Sequence, residues 1–306
     1  MLTYLMLAGG LLGLFLGGDW LVRGASQIAA RYSVPPLIIG LTIVGFGTST
    51  PELLVSLQAA FNGLPGIAIG NVVGSNIANI LLILGVAGII APPIADFLKM
   101  RRDLFWMLGA ALVMPIIIAS GFIGRIEGLA LVTGLIIYLG LSFRAMRNDP
   151  TEPLPHDVNL LNAAGFTIAG LVAVMLGANF LVESATVIAR QLGVSEAMIG
   201  LSIVAIGTSL PELATTVAAA IKGEREIALG NIIGSNIFNI LAILGLTGLI
   251  IPIPVDARFM SFDVPVMIGA TLLTLGLIYA RGGISRIAGV GMIAAYIGYI
   301  ALGASL

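Results

Sequence analysis

Cysteine is absent from this chain of 306 residues. That excludes disulfides and thiolate metal sites and leaves the redox compartment open. Charge is scarce as well. Asp, Glu, Lys and Arg together make up 9% of the residues, against about 25% in soluble domains. Histidine occurs once, at His156, in a polar stretch where it reads as solvated. No basic tail marks a nucleic-acid surface, and none is expected as a partner. There is no nucleotide-binding loop, no His/Cys metal cluster and no nucleophile–base pair, so the sequence does not read as an enzyme and calls for no cofactor.

What is present is apolar. The chain is 58% hydrophobic, with a mean hydropathy of +1.11. Such a chain cannot cover itself with polar surface, which places it in the lipid bilayer as a polytopic membrane protein. The N-terminus, MLTYLMLAGG, lacks the basic region of a signal peptide and reads as the start of the first span. Apolar stretches divided by charged or proline-rich breaks predict an all-α protein of ten transmembrane helices. They fall near 3–30, 36–60, 67–90, 104–120, 126–144, 160–189, 196–220, 227–250, 262–280 and 285–304. A span needs about 20 residues, so ten fit with short loops. The one long connection is Met146–Leu160, MRNDPTEPLPHDVNL, a solvated linker. No obligate protein partner is evident.

Alternate loops of a ten-span chain lie on opposite sides. One side collects Arg31, Lys99, Arg101, Arg102, Arg144, Arg147, Lys222, Arg225, Arg281 and Arg286; the other has only Arg125, Arg190 and Arg258. The basic side is expected to be cytoplasmic, with both termini outside and the protein in the cell (inner) membrane.

The chain also repeats itself. Gly40–Leu57, GLTIVGFGTSTPELLVSL, returns at Gly200–Val217 as GLSIVAIGTSLPELATTV; the offset is 160 residues, Glu52 to Glu212. GGDWLVRGASQIAAR from Gly17 returns from Gly177 as GANFLVESATVIARQ. IAIGNVVGSNIANILLILG from Ile67 returns from Ile227 as IALGNIIGSNIFNILAILG. The halves are 1–145 and 160–306, joined by a cytoplasmic linker at 146–159. Five spans per half is an odd number, so the second half enters the membrane upside down. Inverted-topology repeats are the architecture of many secondary transporters, with the site at the midplane.

The repeated stretch carries a polar knot. Pro51 has no N–H, and its ring clashes with the carbonyl of Gly47, so the helix must break. Freed carbonyls at membrane depth need partners. Pro51 and Pro211 suit the first turn of a restarted half-helix, with Glu52 and Glu212 beside them. A carboxylate at the bilayer centre costs roughly 2.5–3.5 kcal/mol on insertion scales. No Lys or Arg lies near mid-span to offset it; Arg23, the nearest, is placed to pair with Asp19 four residues away. The simplest counter-charge is a bound cation, and oxygen-only ligands suit hard ions such as Ca2+ or Na+.

The second motif is GNxxGSNxxN. Asn71, Ser75 and Asn79 lie on one helical face, as do Asn231, Ser235 and Asn239. Gly70 with Gly74, and Gly230 with Gly234, allow close approach of another backbone. Asp19 falls on Asn179 and Arg23 on Glu183 under the repeat, so Asp19 and Glu183 read as structural or cavity-mouth groups. Asp96, Asp103, Asp256 and Asp263 read as surface groups bordering loops, and Trp20 and Trp106 as interfacial anchors.

GTSTPE with GNVVGSNIAN, and GTSLPE with GNIIGSNIFN, resemble the two alpha repeats of the sodium/calcium exchanger family, within the cation/calcium exchanger superfamily. The resemblance covers nearly the whole chain, which looks like a compact prokaryotic member. It implies one calcium site flanked by sodium sites, with Ca2+ and Na+ as transported ions. Glu52 and Glu212 would chelate Ca2+ with the carbonyls of Thr48 and Thr208. Ser49, Ser75, Ser209 and Ser235, with the carbonyls of Gly45 and Ala205, would line the sodium sites, and Asn79 and Asn239 the centre. Some relatives carry Asp where this chain has Asn239; that Asp is tied to potassium use, so its absence argues against potassium. The expected activity is exchange of Na+ for Ca2+ by alternating access. The first and sixth spans, long and glycine-rich, would slide against the other eight. An H+-coupled or K+-dependent antiporter of Ca2+ or another divalent ion, or a cation channel, remains the alternative.

Overall fold

The computed structural model describes residues 2–148, 159–192 and 205–303. Its helices are α1 (Leu2–Tyr32), α2 (Pro36–Thr48), α3 (Thr50–Phe61), α4 (Pro65–Ile90), α5 (Phe97–Ile118), α6 (Arg125–Asn148), α7 (Leu160–Gln191), α8 (Leu210–Ile221), α9 (Arg225–Ile250), α10 (Phe259–Arg281) and α11 (Arg286–Gly303), with a short turn at Ala205–Gly207 before α8. The protein is mostly helical and built for a membrane. Its outer helices present apolar side chains outward, among them Phe15, Ile116, Ile126, Leu161 and Ile287.

Seven of the described helices are long and apolar enough to cross a bilayer, and eight if α2 and α3 count as one bent span. This is fewer than the ten expected. The shortfall has two causes. Helix α5 begins FLKMRRD, so charge fills its first two turns and leaves too short an apolar remainder. Helix α8 is only 12 residues long, and most of the stretch expected to precede it, 193–204, lies outside the described residues, as does much of the linker.

Helices α4 and α9 form the centre, and α9 is buried along its whole apolar length. One core joins both halves: Leu41, Ile69, Ile77 and Ile80 pack with Ile233, Ile237, Leu244 and Met267. Both central helices pass through a π-helical turn midway, at Ala78–Ile83 and Asn239–Leu244; such turns widen the helix locally and mark functional positions. Helices α1 and α7 cross along a seam of glycines. A Cβ at Gly10 would lie 2.8 Å from the Gly177 carbonyl oxygen, and one at Gly17 2.9 Å from that of Gly170.

Two short β contacts tie the halves together at their loops. Phe122–Ile123 (β1) pairs antiparallel with Ile253–Pro254 (β2). Ile94 bridges Gly283 in the same sense.

Two aspartates expected at the surface are buried instead. Asp103 is 1% exposed and lies 2.8 Å from Arg102 Nη2; Asp263 is 3% exposed, 3.5 Å from Arg258 Nε, and accepts from the Tyr299 hydroxyl at 2.8 Å. Each is paired, and that is what makes its burial affordable. Asp96 and Asp256 are exposed, as expected, and cap local backbone N–H groups. The Asp19–Arg23 pair does not form. Asp19 pairs with Lys222 at 2.7 Å, and the Arg23 guanidinium lies over the Phe166 ring. Trp106 is half-buried against Tyr138, with ring centroids 5.5 Å apart.

Candidate functional site

The helix breaks where the prolines predict. Ser49 has φ −83° and ψ 4°, out of helical register, and α2 and α3 meet at 41°. Ser209 has φ −90° and ψ 6° at the start of α8. Pro51 and Pro211 stand in the first turn of the restarted helices, where a missing N–H costs nothing. Glu52 and Glu212 follow in that same turn, both completely buried.

The two breaks face each other and exchange hydrogen bonds. Ser49 Oγ donates to Glu212 Oε1 at 3.1 Å, and Ser209 Oγ to Glu52 Oε1 at 3.5 Å. Thr48 Oγ1 reaches Asn231 Oδ1 at 3.1 Å, and Thr208 Oγ1 reaches Asn71 Oδ1 at 3.3 Å. Ser235 Oγ lies 3.4 Å from both the Gly45 carbonyl and Glu212 Oε1. Ser209 Oγ lies 3.3 Å from Ser75 Oγ. Ala205 opens the turn that leads into the second break. Thr48, Ser49, Glu52, Asn71, Ser75, Thr208, Ser209, Glu212, Asn231 and Ser235 are thus linked around the two breaks.

The asparagines brace the glutamates from behind. Asn71 Nδ2 donates to the Glu52 carbonyl at 3.0 Å and to Ser56 Oγ at 2.9 Å. Asn231 Nδ2 donates to the Glu212 carbonyl at 3.3 Å and to Thr216 Oγ1 at 2.9 Å. Ser56 and Thr216 escaped the motif reading. The repeat aligns them, each four residues beyond its glutamate, and that spacing is the signal that would have found them. Asn76 was missed too: its Oδ1 accepts from Asn239 Nδ2 at 3.4 Å, joining the start of the α9 π-turn to α4.

Glycines let this happen. A Cβ at Gly230 would lie 2.6 Å from the Leu37 carbonyl oxygen and 3.1 Å from the Gly40 Cα. So α9 and α2 touch backbone to backbone, as the Gly230–Gly234 pair predicts. Gly70 and Gly74 meet no backbone among the described residues; the segment matching Leu37–Leu41 is 197–201, outside them.

The electrostatics are one-signed. The Arg102–Asp103, Lys222–Asp19 and Arg258–Asp263 pairs all lie elsewhere. Ionised together, the two carboxylates would repel each other. Among the described residues, Oε2 of Glu52, Oε2 of Glu212, both side-chain polar atoms of Asn79 and Oδ1 of Asn239 are buried without a hydrogen-bond partner. Buried polar atoms rarely stay orphaned without a purpose. No three His, Cys, Asp or Glu side chains among the described residues cluster as a metal site. Any cation here would be held by two carboxylates, hydroxyls, amide oxygens and backbone carbonyls, a donor set for hard ions.

Comparison with known proteins agrees with this chemistry. The family model described as sodium/calcium exchanger protein matches residues 2–144 and 162–303. The sodium/calcium exchanger MaX1 of Methanosarcina acetivorans is 34% identical over 97% of both chains. The inner membrane protein YrbG of Escherichia coli is 38% identical over 92% of this chain and 90% of its own. A solved structure of the sodium-calcium exchanger NCX_Mj, soaked with 2.5 mM Na+ and 0.1 mM Ca2+, superposes with a TM-score of 0.86 at 35% identity, covering 98% of each chain.

Proposed function

The chain belongs to the sodium/calcium exchanger family, and from that premise we propose that it exchanges Na+ for Ca2+ across the cell membrane by alternating access. Membership makes it a membrane antiporter of the cation/Ca2+ class rather than an enzyme. The finer reading rests on one observation above all. Two fully buried carboxylates face each other, each with one oxygen held by a serine of the opposite break and one oxygen unpartnered among the described residues.

Two carboxylates balance one Ca2+. Glu52 and Glu212 are the proposed calcium ligands, with the carbonyls of Thr48 and Thr208. Ser49, Ser75, Ser209 and Ser235, with the carbonyls of Gly45 and Ala205, form the proposed sodium sites, and Asn79 and Asn239 the centre between them. Sodium ions and calcium then compete for overlapping oxygens, so the two loads exclude each other. The empty site keeps two uncompensated charges in low dielectric and is reluctant to cross.

The proposed frame is ten spans in two inverted halves, the linker cytoplasmic and both termini outside. It is supported by the reciprocal bonding of the two breaks and by the two β contacts. Counting ten spans, β1 and β2 lie in loops on one side, and Ile94 and Gly283 in loops on the other.

The test is flux of radiolabelled Ca2+ into liposomes holding the purified protein. An outward-directed Na+ gradient at fixed pH is expected to drive uptake. Uptake driven only by a pH gradient, or only with K+ present, would replace Na+ by that ion in this reading.

A further inference from the structure

Helix α1 lies along α8 on one face of the molecule. A Cβ at Gly18 would sit 2.9 Å from the Ala214 carbonyl oxygen and 3.3 Å from the Ala218 side chain. At the end of this contact Lys222 Nζ lies 2.7 Å from Asp19 Oδ1 and donates to the Asp19 carbonyl at 3.0 Å. The repeat carries α1 onto α7 and α8 onto α3. The counterpart contact, α7 on α3, is all but missing among the described residues. Leu54 and Gln58, which match Ala214 and Ala218, are exposed. The structure is therefore closed at α1–α8 and open at α7–α3.

The repeat also carries Asp19 onto Asn179 and Lys222 onto Asn62, both exposed and neither charged. We infer that Asp19 and Lys222 form a one-sided latch that biases the carrier toward the state closed at α1–α8, an inference that rests on the alternating-access reading above. In an inverted repeat the two end states are related by the pseudo-two-fold axis, and the contact that closes one face is replaced in the other state by its counterpart. Here one closure carries an ion pair with an added charge-assisted hydrogen bond; the other would bring two amides together. Matched backbones thus acquire unequal energies, and the state closed at α1–α8 is favoured. An apolar groove of about 410 Å3 runs between the two helices, walled by Leu11, Leu14 and Phe15 of α1 and Leu210, Leu213 and Val217 of α8, so the contact is confined to the Gly18 crossing and the ion pair beyond it. Lys222 and Asp19 are 28% and 40% exposed, so the bias is a modest one, about two- to fivefold in population.

Since the chain has no cysteine, an introduced thiol is unique. Ala218→Cys places one against α1, where the native side chain faces Gly18. Its rate of labelling by a polar maleimide, in full-length protein in lipid nanodiscs, reports how often α1 leaves α8. Asp19→Asn and Lys222→Gln are each expected to raise that rate about two- to fivefold. Exchanging the charges, Asp19→Lys with Lys222→Asp, is expected to bring it back down. Building the counterpart latch, Asn179→Asp with Asn62→Lys, is expected to raise it without touching α1 or α8. Unchanged labelling in the single variants, or no recovery on exchanging the charges, overturns the latch, as does unchanged labelling with the counterpart pair installed. Ca2+ flux by the same proteins in liposomes separates the two ideas: a parent protein without ion-driven exchange overturns alternating access itself.

Discussion

Ser49 of the first half donates to the carboxylate of Glu212 in the second, 163 positions away. Its counterpart Ser209 returns the bond to Glu52. Each helix break thus supplies the hydroxyl for the other's acid, and neither half builds a complete site alone.

Glu52→Gln keeps the volume and one oxygen but removes a charge. Calcium would then be held with net charge +1 in low dielectric, where imbalance is costly. The expected result is loss of Ca2+ exchange and of the calcium-induced rise in melting temperature, in protein that still inserts, because a neutral amide is cheaper to bury than a carboxylate. Glu212→Gln is expected to behave alike. Near-normal flux in either variant would remove the two-carboxylate site.

Asn239→Asp replaces the amide that donates to Asn76 at 3.4 Å and adds a third carboxyl to the centre. Transport is expected to gain a dependence on pH or K+ that the parent lacks. Flux measured over a pH series, with and without K+, checks it; superimposable curves would place Asn239 outside the cation shell.

Asn231→Leu removes an amide that serves the Glu212 carbonyl, Thr216 and Thr48 at once. Thr48 keeps its bond to the Val44 carbonyl, but Thr216 and the Glu212 carbonyl each lose a buried hydrogen bond, and the expected cost is about 1–3 kcal/mol of stability. Thermal melting in detergent reads it. Asn71→Leu is expected to cost less, since Asn71 is only half-buried.

Gly17→Leu would push side-chain atoms into the backbone of α7, since even a Cβ would lie 2.7 Å from Val174 N. Exchange and melting temperature are both expected to fall. Gly9→Ala, which meets nothing within 4 Å, is the control and is expected to be neutral in both.

A reporter fused after Leu306 tests the orientation. One that works only outside the cytoplasm is expected to be active, and one that works only inside to be silent.

The breaks at Ser49 and Ser209 were legible because proline lacks an N–H, a property no tertiary context restores. The convergence of Glu52, Glu212 and the serines was legible because the motif occurs twice. Asp103 and Asp263 were misjudged because their burial depends on partners, Arg102, Arg258 and Tyr299, two of which the pattern does not tie to them. Asp19 was assigned to Arg23 by helical spacing, a rule for isolated helices; in the folded protein Lys222, 203 residues away, is nearer. The repeat predicts what is common to the halves. It is silent on where they differ, and the unequal closure of α1–α8 and α7–α3 is such a difference.

The glycine seam between α1 and α7 has a mechanical consequence. With Gly10 against Gly177 and Gly17 against Gly170 the two backbones touch directly, so in the proposed cycle the two helices would travel as a single carriage. In the proposed cycle, α1 leaving α8 and α7 arriving on α3 are then the two ends of one see-saw. A continuous pore would need both ends raised together, which the seam forbids without prying two backbones apart. In that cycle, protection against leak would rest on steric contact and would not depend on whether any ion is aboard.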